Sequence, residues 1–457
     1  PRPRDLRLAV ADLRRSQLHG WGMTQAITAD LLEASGEAEL ASALNEAGRG
    51  VIARGLGRSY GDAAQLAGGT ALSMLEHPGQ LRIDEQGLAT VGGGVSLDAL
   101  IAEGLPKGWF VPVTPGTRQV TVGGAIAFDV HGKNHHVDGS FANHVRSMKL
   151  LTPTGLRELT PEANPELFWA TAGGMGLTGV VLEATLQMMP VSSSAVVVDT
   201  DRYPNLDAVM AAMVEGDDRY RYSVAWVDCM RRGASMGRGI LTRGDHLDDP
   251  TGKVVVPRSS KLSVPFRPPS GLLNRASISA FNEAWFRVAP KHEVGALHEI
   301  GAFFHPLDGV ANWNRLYGPR GFVQWQCAVP DASGEVIARA IERLSAEKVP
   351  SFLAVLKRFG PGNEGPMSFP MAGWTLALDL PVGPAALPRV LDELDELVAE
   401  AGGRIYLAKD ARLAPRQLPR MYPRLGELLE QKAIVDPKGV LRSDLGERLG
   451  ITTQATH

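Results

Sequence analysis

The sequence predicts a large, soluble α/β protein organised around glycine-rich loops, and three observations predict it. Glycine is overused at 51 of 457 residues, about 11% where about 7% is ordinary. Through the first 190 residues, short β-like runs alternate with helical stretches punctuated by Gly and Pro. The charges balance, 47 basic against 50 acidic, in a chain that is 44% hydrophobic. That balance leaves no basic excess for gripping a phosphate backbone, so no nucleic-acid partner is expected. The length suggests two to four domains, or two large ones. No apolar run approaches the roughly 18 residues of a membrane span. The opening PRPRDLRLAVADLRRSQ lacks the apolar core of a signal peptide, so the sequence reads as cytoplasmic. Cys229 and Cys327 are too few for a disulfide framework or a multi-cysteine metal site.

The elements follow in order. Residues 50–56, GVIARGL, read as a buried strand running straight into a glycine loop. Short strands and an Asp84-Glu85 turn come next, then a helix capped by Ser96. Pro153-Thr154-Gly155 marks a turn ahead of an acidic helical stretch. A glycine turn then leads into an alternating strand ending at Pro190. Composition shifts beyond about residue 191. Residues 231–275 are rich in Pro and Ser and carry nine Lys/Arg against three Asp/Glu, which suggests a long, mobile, basic loop. Further on, Leu391, Leu394, Leu397 and Val398 fall on one face of a helix that Gly402-Gly403 end. RIYLAKD (404–410) reads as a strand returning to the core.

Three glycine clusters carry the chemistry. In Gly55-Leu56-Gly57-Arg58-Ser59-Tyr60-Gly61-Asp62, adjacent glycines free backbone N–H groups to face a phosphate. Tyr60 stands where a dinucleotide fingerprint needs its third glycine, so the Rossmann pattern is excluded. Alone, the cluster is equally an ordinary turn. The second cluster runs from Pro115-Gly116-Thr117 through Val120-Thr121 and Gly123-Gly124 to Ala127. It suits a flat ring or pyrophosphate, or else a tightly packed helix start. Between it and the third, His131-Gly-Lys133-Asn134-His135-His136 invites a metal reading. No cysteine or spaced carboxylate completes a ligand set, so no metal is expected, and a polar wall beside a charged ligand fits better. The third cluster is Gly173-Gly174-Met175-Gly176-Leu177-Thr178-Gly179. Together the three argue for one extended, phosphate-bearing cofactor.

VIARGLGRSYGD, PGTRQVTVGGAIAFDVHGKNHH and FWATAGGMGLTG resemble the FAD-binding domain of the vanillyl-alcohol oxidase flavoprotein superfamily. Within it the chain resembles the decaprenylphosphoryl-β-D-ribose 2′-oxidases, and FFHPLDGVANWNRLYGPRGFVQWQ, SFLAVLKRFGPGNEGPMSFPMAGW and RIYLAKDARL extend the likeness along nearly the whole chain. The resemblance implies an α+β fold with a split FAD-binding domain (1–190 and 404–457) and an antiparallel-sheet substrate domain with flanking helices (191–403). It implies that Ala53, Arg54, Gly55, Leu56, Gly57, Arg58, Ser59, Tyr60 and Gly61, with Gly116, Thr117, Val120, Thr121, Gly123, Gly124 and Ala127, hold the pyrophosphate and flavin. Val130, His131, Gly176, Leu177, Val181 and Tyr406 would line the remaining FAD surface. Several members of the superfamily bond flavin to a histidine in the first loop. Arg58 stands there in this chain, so non-covalent FAD is expected.

The implied reaction takes a hydride from the ribose 2-carbon of a lipid-linked sugar phosphate, and a partner NAD-dependent reductase completes the epimerisation. The hydroxyl proton needs an acceptor, and the phosphate needs cations. The resemblance nominates Lys409, as base or phosphate partner, with Tyr60 and His131 as further catalytic residues. From the sequence alone Lys409 reads rather as a surface lysine at a strand end. Lys133, Gln324, Gln326, Lys357, Phe359, Trp226, Leu307, Thr375 and Ala377 are the substrate-binding candidates. Gln324 and Gln326 share one side of a strand, which faces either the site or solvent. Ala377 occupies the position of a family cysteine that nitroaromatic inhibitors attack, while Thr375, Phe304 and Val224 stand where the family has Asn, Tyr and Ser. A lipid substrate implies peripheral membrane contact through the basic loop, with the periplasmic face as the location known for the family. The alternative is a sugar or aldonolactone oxidase acting on a soluble polyol.

Overall fold

The computed structural model describes residues 13–452 except 35, 47, 77, 259, 261 and 270. Part of the charged N-terminal segment, residues 1–12, therefore lies outside the described residues. Strands Val51–Arg54 and Thr70–Ser73 pair in parallel, Thr70–Ser73 pairs in parallel with Ala26–Glu33, and Ala26–Glu33 pairs antiparallel with Leu13–His19. A second sheet is antiparallel throughout, in the order Leu81–Ile83, Leu88–Gly92, Val180–Gln187, Val145–Thr152, Gly155–Leu159. Antiparallel pairing thus dominates, which makes the chain α+β rather than the parallel α/β that alternating elements suggest.

The largest sheet has eight strands: His292–Glu299, Ala195–Tyr203, Gly239–His246, Tyr222–Val227, Ala354–Phe359, Gly373–Pro381, Phe322–Pro330 and Arg404–Ile405. Strand alternation decides what each face carries. Trp325, Cys327, Val329, Leu376, Leu378, Leu356 and Ala225 point into one apolar core, packed with Leu206–Gly216, Glu335–Ala346 and Leu387–Glu400. The opposite face therefore bears Gln324, Gln326, Thr375, Ala377, Asp379, Lys357, Phe359 and Trp226. The sheet separates a greasy side from a chemical one.

Four expectations change. Residues 239–246 of the supposed basic loop are a central strand, with Ile240 and Leu241 buried in it. Four of its arginines are already engaged: Arg231 and Arg238 with Glu283, Arg238 with Asp228, Arg243 with Asp201, and Arg232 on the Ser345 carbonyl. The stretch after Gly155 starts as a strand, Gly155–Leu159, before helix Pro165–Thr171. The strand expected over 404–410 stops after Ile405. Beyond it the backbone turns, with the Lys409 and Asp410 N–H groups both donating to the Tyr406 carbonyl.

Candidate active site

The first glycine loop leaves strand Val51–Arg54 and is held by chain far away in sequence. Tyr60 N–H donates to the Ala408 carbonyl, and a Cβ on Gly61 would lie 2.0 Å from the Asp410 carbonyl oxygen. Arg448 clamps this junction through Asp62 and Asp410. The Arg54 guanidinium donates to the Ala64 and His19 carbonyls, bracing the loop instead of pointing outward. Gly57 has φ +64°, a left-handed conformation that favours glycine, and a Cβ there would press on Arg54.

The second loop meets the first directly. A Cβ on Gly55 would stand 2.3 Å from Thr121 Oγ1, while Thr121 itself caps Val122–Ala127 through the Gly124 N–H. Ala53 to Ser59, Thr117, Val120, Gly123, Gly124 and Ala127 remain half-exposed, and Gly116 is exposed. They are the accessible surface of the two loops. Thr117 donates to Asp308, which also accepts from the Arg118 N–H. Leu177 is fully buried in the core, with its N–H donating to the Gly174 carbonyl. Val181 is likewise packed into a core cluster, and Gly176 takes a left-handed turn at φ +76°.

On the polar sheet face, Gln326 donates to His131 Nε2 at 3.0 Å and to Thr375 Oγ1 at 3.1 Å. The His131 ring packs on Phe359, Phe369 and Tyr406, and the Tyr406 hydroxyl donates to the Phe128 carbonyl. Burial, then Lys357, His135 and Lys409, hold His131 well below the usual imidazole range. Asp129 fixes the turn before it, accepting from Ser140, Ser368, Asn363 and the Ala142 N–H. The three histidines of HGKNHH do not converge: His136 bonds the Asp217 and Tyr220 carbonyls, and the His135 ring nitrogens have no partner. Among the described residues, no group of three or more His, Cys, Asp or Glu is placed to hold a metal ion.

Three half-buried lysines complete the wall. Lys133 donates to the Phe303 carbonyl and sits over the Phe303 ring, and Lys357 donates to the Gly132 carbonyl. Burial draws both down to about 7, with Lys133 and Lys409 adding to the effect at Lys357. Lys409 Nζ lies 4.0 Å from the centroid of the Tyr60 ring, and burial lowers it to about 8 against the pull of Asp379. A lysine drawn toward neutrality can accept a proton near pH 7. Gln324 is buried and donates to Asp379, so neither glutamine faces solvent. Leu307 packs against the aromatic cluster of Tyr60, Trp313, Tyr317 and Phe322. Trp226 Nε1 donates to the Phe352 carbonyl, and Ala377 lies opposite Gln326 and Val355 in the sheet register. The structure thus brings Tyr60, His131, Gln324, Gln326, Thr375, Lys357, Phe359 and Lys409 together. Sequence reasoning missed Asp129, Tyr317 and Asp379. The alternation Thr375-Ala377-Asp379 was the available signal for the last.

Comparisons with known proteins agree with this geometry. Residues 31–160 match the family model described as an FAD binding domain. Over 451 residues, 95% of this chain and 97% of the relative, the sequence is 43% identical to decaprenylphosphoryl-β-D-ribose oxidase of Mycolicibacterium smegmatis. The chain belongs to this oxidase family. It is an FAD-dependent oxidoreductase. An uncharacterised protein in the mprA 5′ region of Streptomyces coelicolor is 41% identical over 78% of this chain and all of its own length. A mitochondrial L-galactono-1,4-lactone dehydrogenase of Arabidopsis thaliana matches 23% of the chain and 18% of itself, at 35% identity.

The residues present fit FAD. Gly55 leaves room for the Thr121 side chain where the two glycine loops meet, the loop residues are half-exposed, and Arg58 Nε and His131 Nδ1 are buried without a partner. A histidine is absent from the 55–61 loop; Arg58 instead stacks its guanidinium 3.9 Å from the centroid of Trp21. Among the described residues, no helix is long and apolar enough to cross a membrane.

Proposed function

We propose that this chain oxidises the ribose 2′-hydroxyl of decaprenylphosphoryl-β-D-ribose to the 2′-ketone, the first half of an epimerisation that a partner NAD-dependent reductase completes. The observation that carries the reading is the trio of half-buried lysines, Lys357 on the polar sheet face with Lys133 and Lys409 acting on it from the neighbouring loops, beside Tyr60, His131 and the paired glutamines. Buried ammonium groups drawn toward neutrality favour an anion, and a phosphate on the substrate supplies it. FAD, held without a covalent bond by the loops at 53–61 and 116–127 and by His131, supplies the hydride acceptor. Lys409 Nζ takes the hydroxyl proton, Tyr60 packs beneath it, and Lys133 and Lys357 bind phosphate. Gln324, Gln326 and His131 orient the sugar, with Phe359, Trp226 and Leu307 as apolar walls.

The division into 1–190 with 404–457 and 191–403 belongs to the same proposal. It is supported by the bonds from Ala408 and Arg448 to the first loop. Membrane contact is proposed for the exposed apolar face of helix Arg275–Val288, at Phe281, Trp285 and Val288. Tyr317, Phe352, Phe281 and Trp285 form a continuous run of ring contacts from the site to that face, a path suited to a polyprenyl tail, and this side of the chain would meet the bilayer from the periplasmic face.

Anaerobic mixing with polyprenyl-phosphoryl-ribose tests the function. Bleaching of the visible flavin band is expected, and Lys409→Ala should slow it by about 10²–10⁴-fold while keeping FAD. Bleaching by a soluble polyol, with none by the lipid-linked sugar, would favour the lactone-oxidase alternative.

A further inference from the structure

The chain leaving the short helix Ile300–Phe304 reaches the second glycine loop with two side chains. His305 Nε2 lies 2.8 Å from Thr114 Oγ1, and both residues are buried. Three residues on, Asp308 takes two donors from the same loop. One carboxylate oxygen accepts from the Thr117 hydroxyl at 2.6 Å, and the other from the Arg118 N–H at 2.8 Å. Thr117 Oγ1 in turn accepts from the Gln119 N–H at 3.1 Å. A hydroxyl has one proton to donate, and here it goes to Asp308, so Thr117 can serve a phosphate only through its backbone. Among the described residues, the Gly116 and Thr117 N–H groups have no protein acceptor. Gly116 is exposed, and a Cβ there would meet nothing within 4 Å. The buried Arg118 guanidinium is held elsewhere, by Asp98 and the Arg258 carbonyl.

We propose that Asp308 is a positioning residue for the cofactor: it clamps the Thr117 hydroxyl and the Arg118 N–H so that the Pro115-Gly116-Thr117 turn offers its free N–H groups to the FAD pyrophosphate. The inference rests on the reading of the 116–127 loop as part of the FAD site. Asp308 itself makes no bond to phosphate. Two hydrogen bonds to a charged acceptor are strong, and a turn fixed before the ligand arrives removes an ordering cost from binding. The carboxylate charge works the other way, since it repels a phosphate. Burial pushes the Asp308 carboxyl upward, and the Thr117 and Arg118 donors, with the charges of Arg118 and Arg58, work against that shift and offset the repulsion. The clamp belongs to the 191–403 part of the chain, so cofactor retention depends on a residue outside both glycine loops.

The test follows FAD release from the loaded enzyme on dilution, read as rising flavin fluorescence. Asp308→Asn keeps the side-chain size but loses one acceptor, and should speed release about tenfold, the worth of one charged hydrogen bond. Thr117→Val removes the hydroxyl and should act by a similar factor, which keeps the test open if Asp308→Asn does not fold. In the Thr117→Val background, Asp308→Asn should add less than its full effect, because the two residues share a bond. Release at or below the wild-type rate in folded Asp308→Asn, or in Thr117→Val, would overturn the proposal. So would fully additive effects, which a general loosening of the fold would give. Gly116→Val tests the loop separately, because its Cβ has room in the protein and the side chain would crowd a ligand. Faster release in Gly116→Val beside wild-type release in Asp308→Asn sinks the clamp alone. Unchanged release in Gly116→Val removes FAD from this loop, and the clamp with it. No arm uses substrate, so the outcome is independent of whether lipid-linked ribose bleaches the flavin.

Discussion

Gln326 holds His131: its amide nitrogen lies 3.0 Å from His131 Nε2, with Thr375 Oγ1 as its second acceptor. A donating amide makes Nε2 the acceptor and leaves the proton on Nδ1, the buried nitrogen with no partner in the protein. Gln326→Leu should therefore lower kcat about tenfold, the worth of one lost buried hydrogen bond, with FAD content unchanged by absorbance. Wild-type kcat in that variant would remove the tautomer from the mechanism.

His135 offers a clean pH prediction. It is buried, both ring nitrogens lack partners, and burial lowers it to about 3. The unfolded chain binds a proton on this ring below about pH 6.5 and the folded chain does not. Wild-type stability from this group is therefore complete above about 6.5 and declines as pH falls, by up to about 1.4 kcal/mol per pH unit. In His135→Leu that decline is absent. The difference in melting temperature, variant minus wild type, should rise steadily from pH 7 toward pH 4, and a flat difference would show that the ring is protonated in the fold.

The thiols predict resistance. Cys229 and Cys327 are both buried, and burial raises both, Cys327 to about 12. Native protein should give essentially no reaction with a thiol reagent. Ala377 is half-exposed on the polar sheet face, so Ala377→Cys should titrate one thiol. The same variant should gain covalent adducts with nitroaromatic inhibitors, seen by intact mass, where wild type gains none.

Non-covalent FAD predicts a simple partition. Acid denaturation should leave the yellow flavin in the supernatant, and a yellow pellet would demand a linking residue other than Arg58.

Arg448 predicts a coupling of stability to cofactor retention. Its bonds to Asp62 and Asp410 are largely buried, so Arg448→Ala should cost roughly 3 kcal/mol. Urea unfolding should shift to a lower midpoint, and FAD should dissociate more readily. Loss of stability with unchanged FAD affinity would separate the clamp from the glycine loop.

The parts of the site written in local pattern were legible in the sequence. The VIARG strand entering its glycine loop, the Ser96 cap and the alternating glutamines of FVQWQ all obey short-range rules. Lys409 needed the family resemblance, because a lysine after a two-residue strand looks like any surface lysine until the fold buries it. Asp379 was hidden in WTLALDLP, where one carboxylate in an apolar run gives no hint of which face it takes until the register is known. The basic loop was misread for a related reason. Counting charge along 231–275 ignores Glu283, Asp228 and Asp201, which long-range pairing brings to Arg231, Arg238 and Arg243. Local chemistry is readable; the partners of buried charges are not.

The hook that ties Ala408, Asp410 and Arg448 to Tyr60, Gly61 and Asp62 also sets a timetable. The first glycine loop leaves the ribosome long before residues 408–448, which shape it. A nascent chain therefore carries the loop without its braces for most of its synthesis, and long-range closures of this kind are late folding events. Flavin capture should wait for residues 408–448, which makes the cofactor a seal on an assembled site rather than a nucleus for its folding.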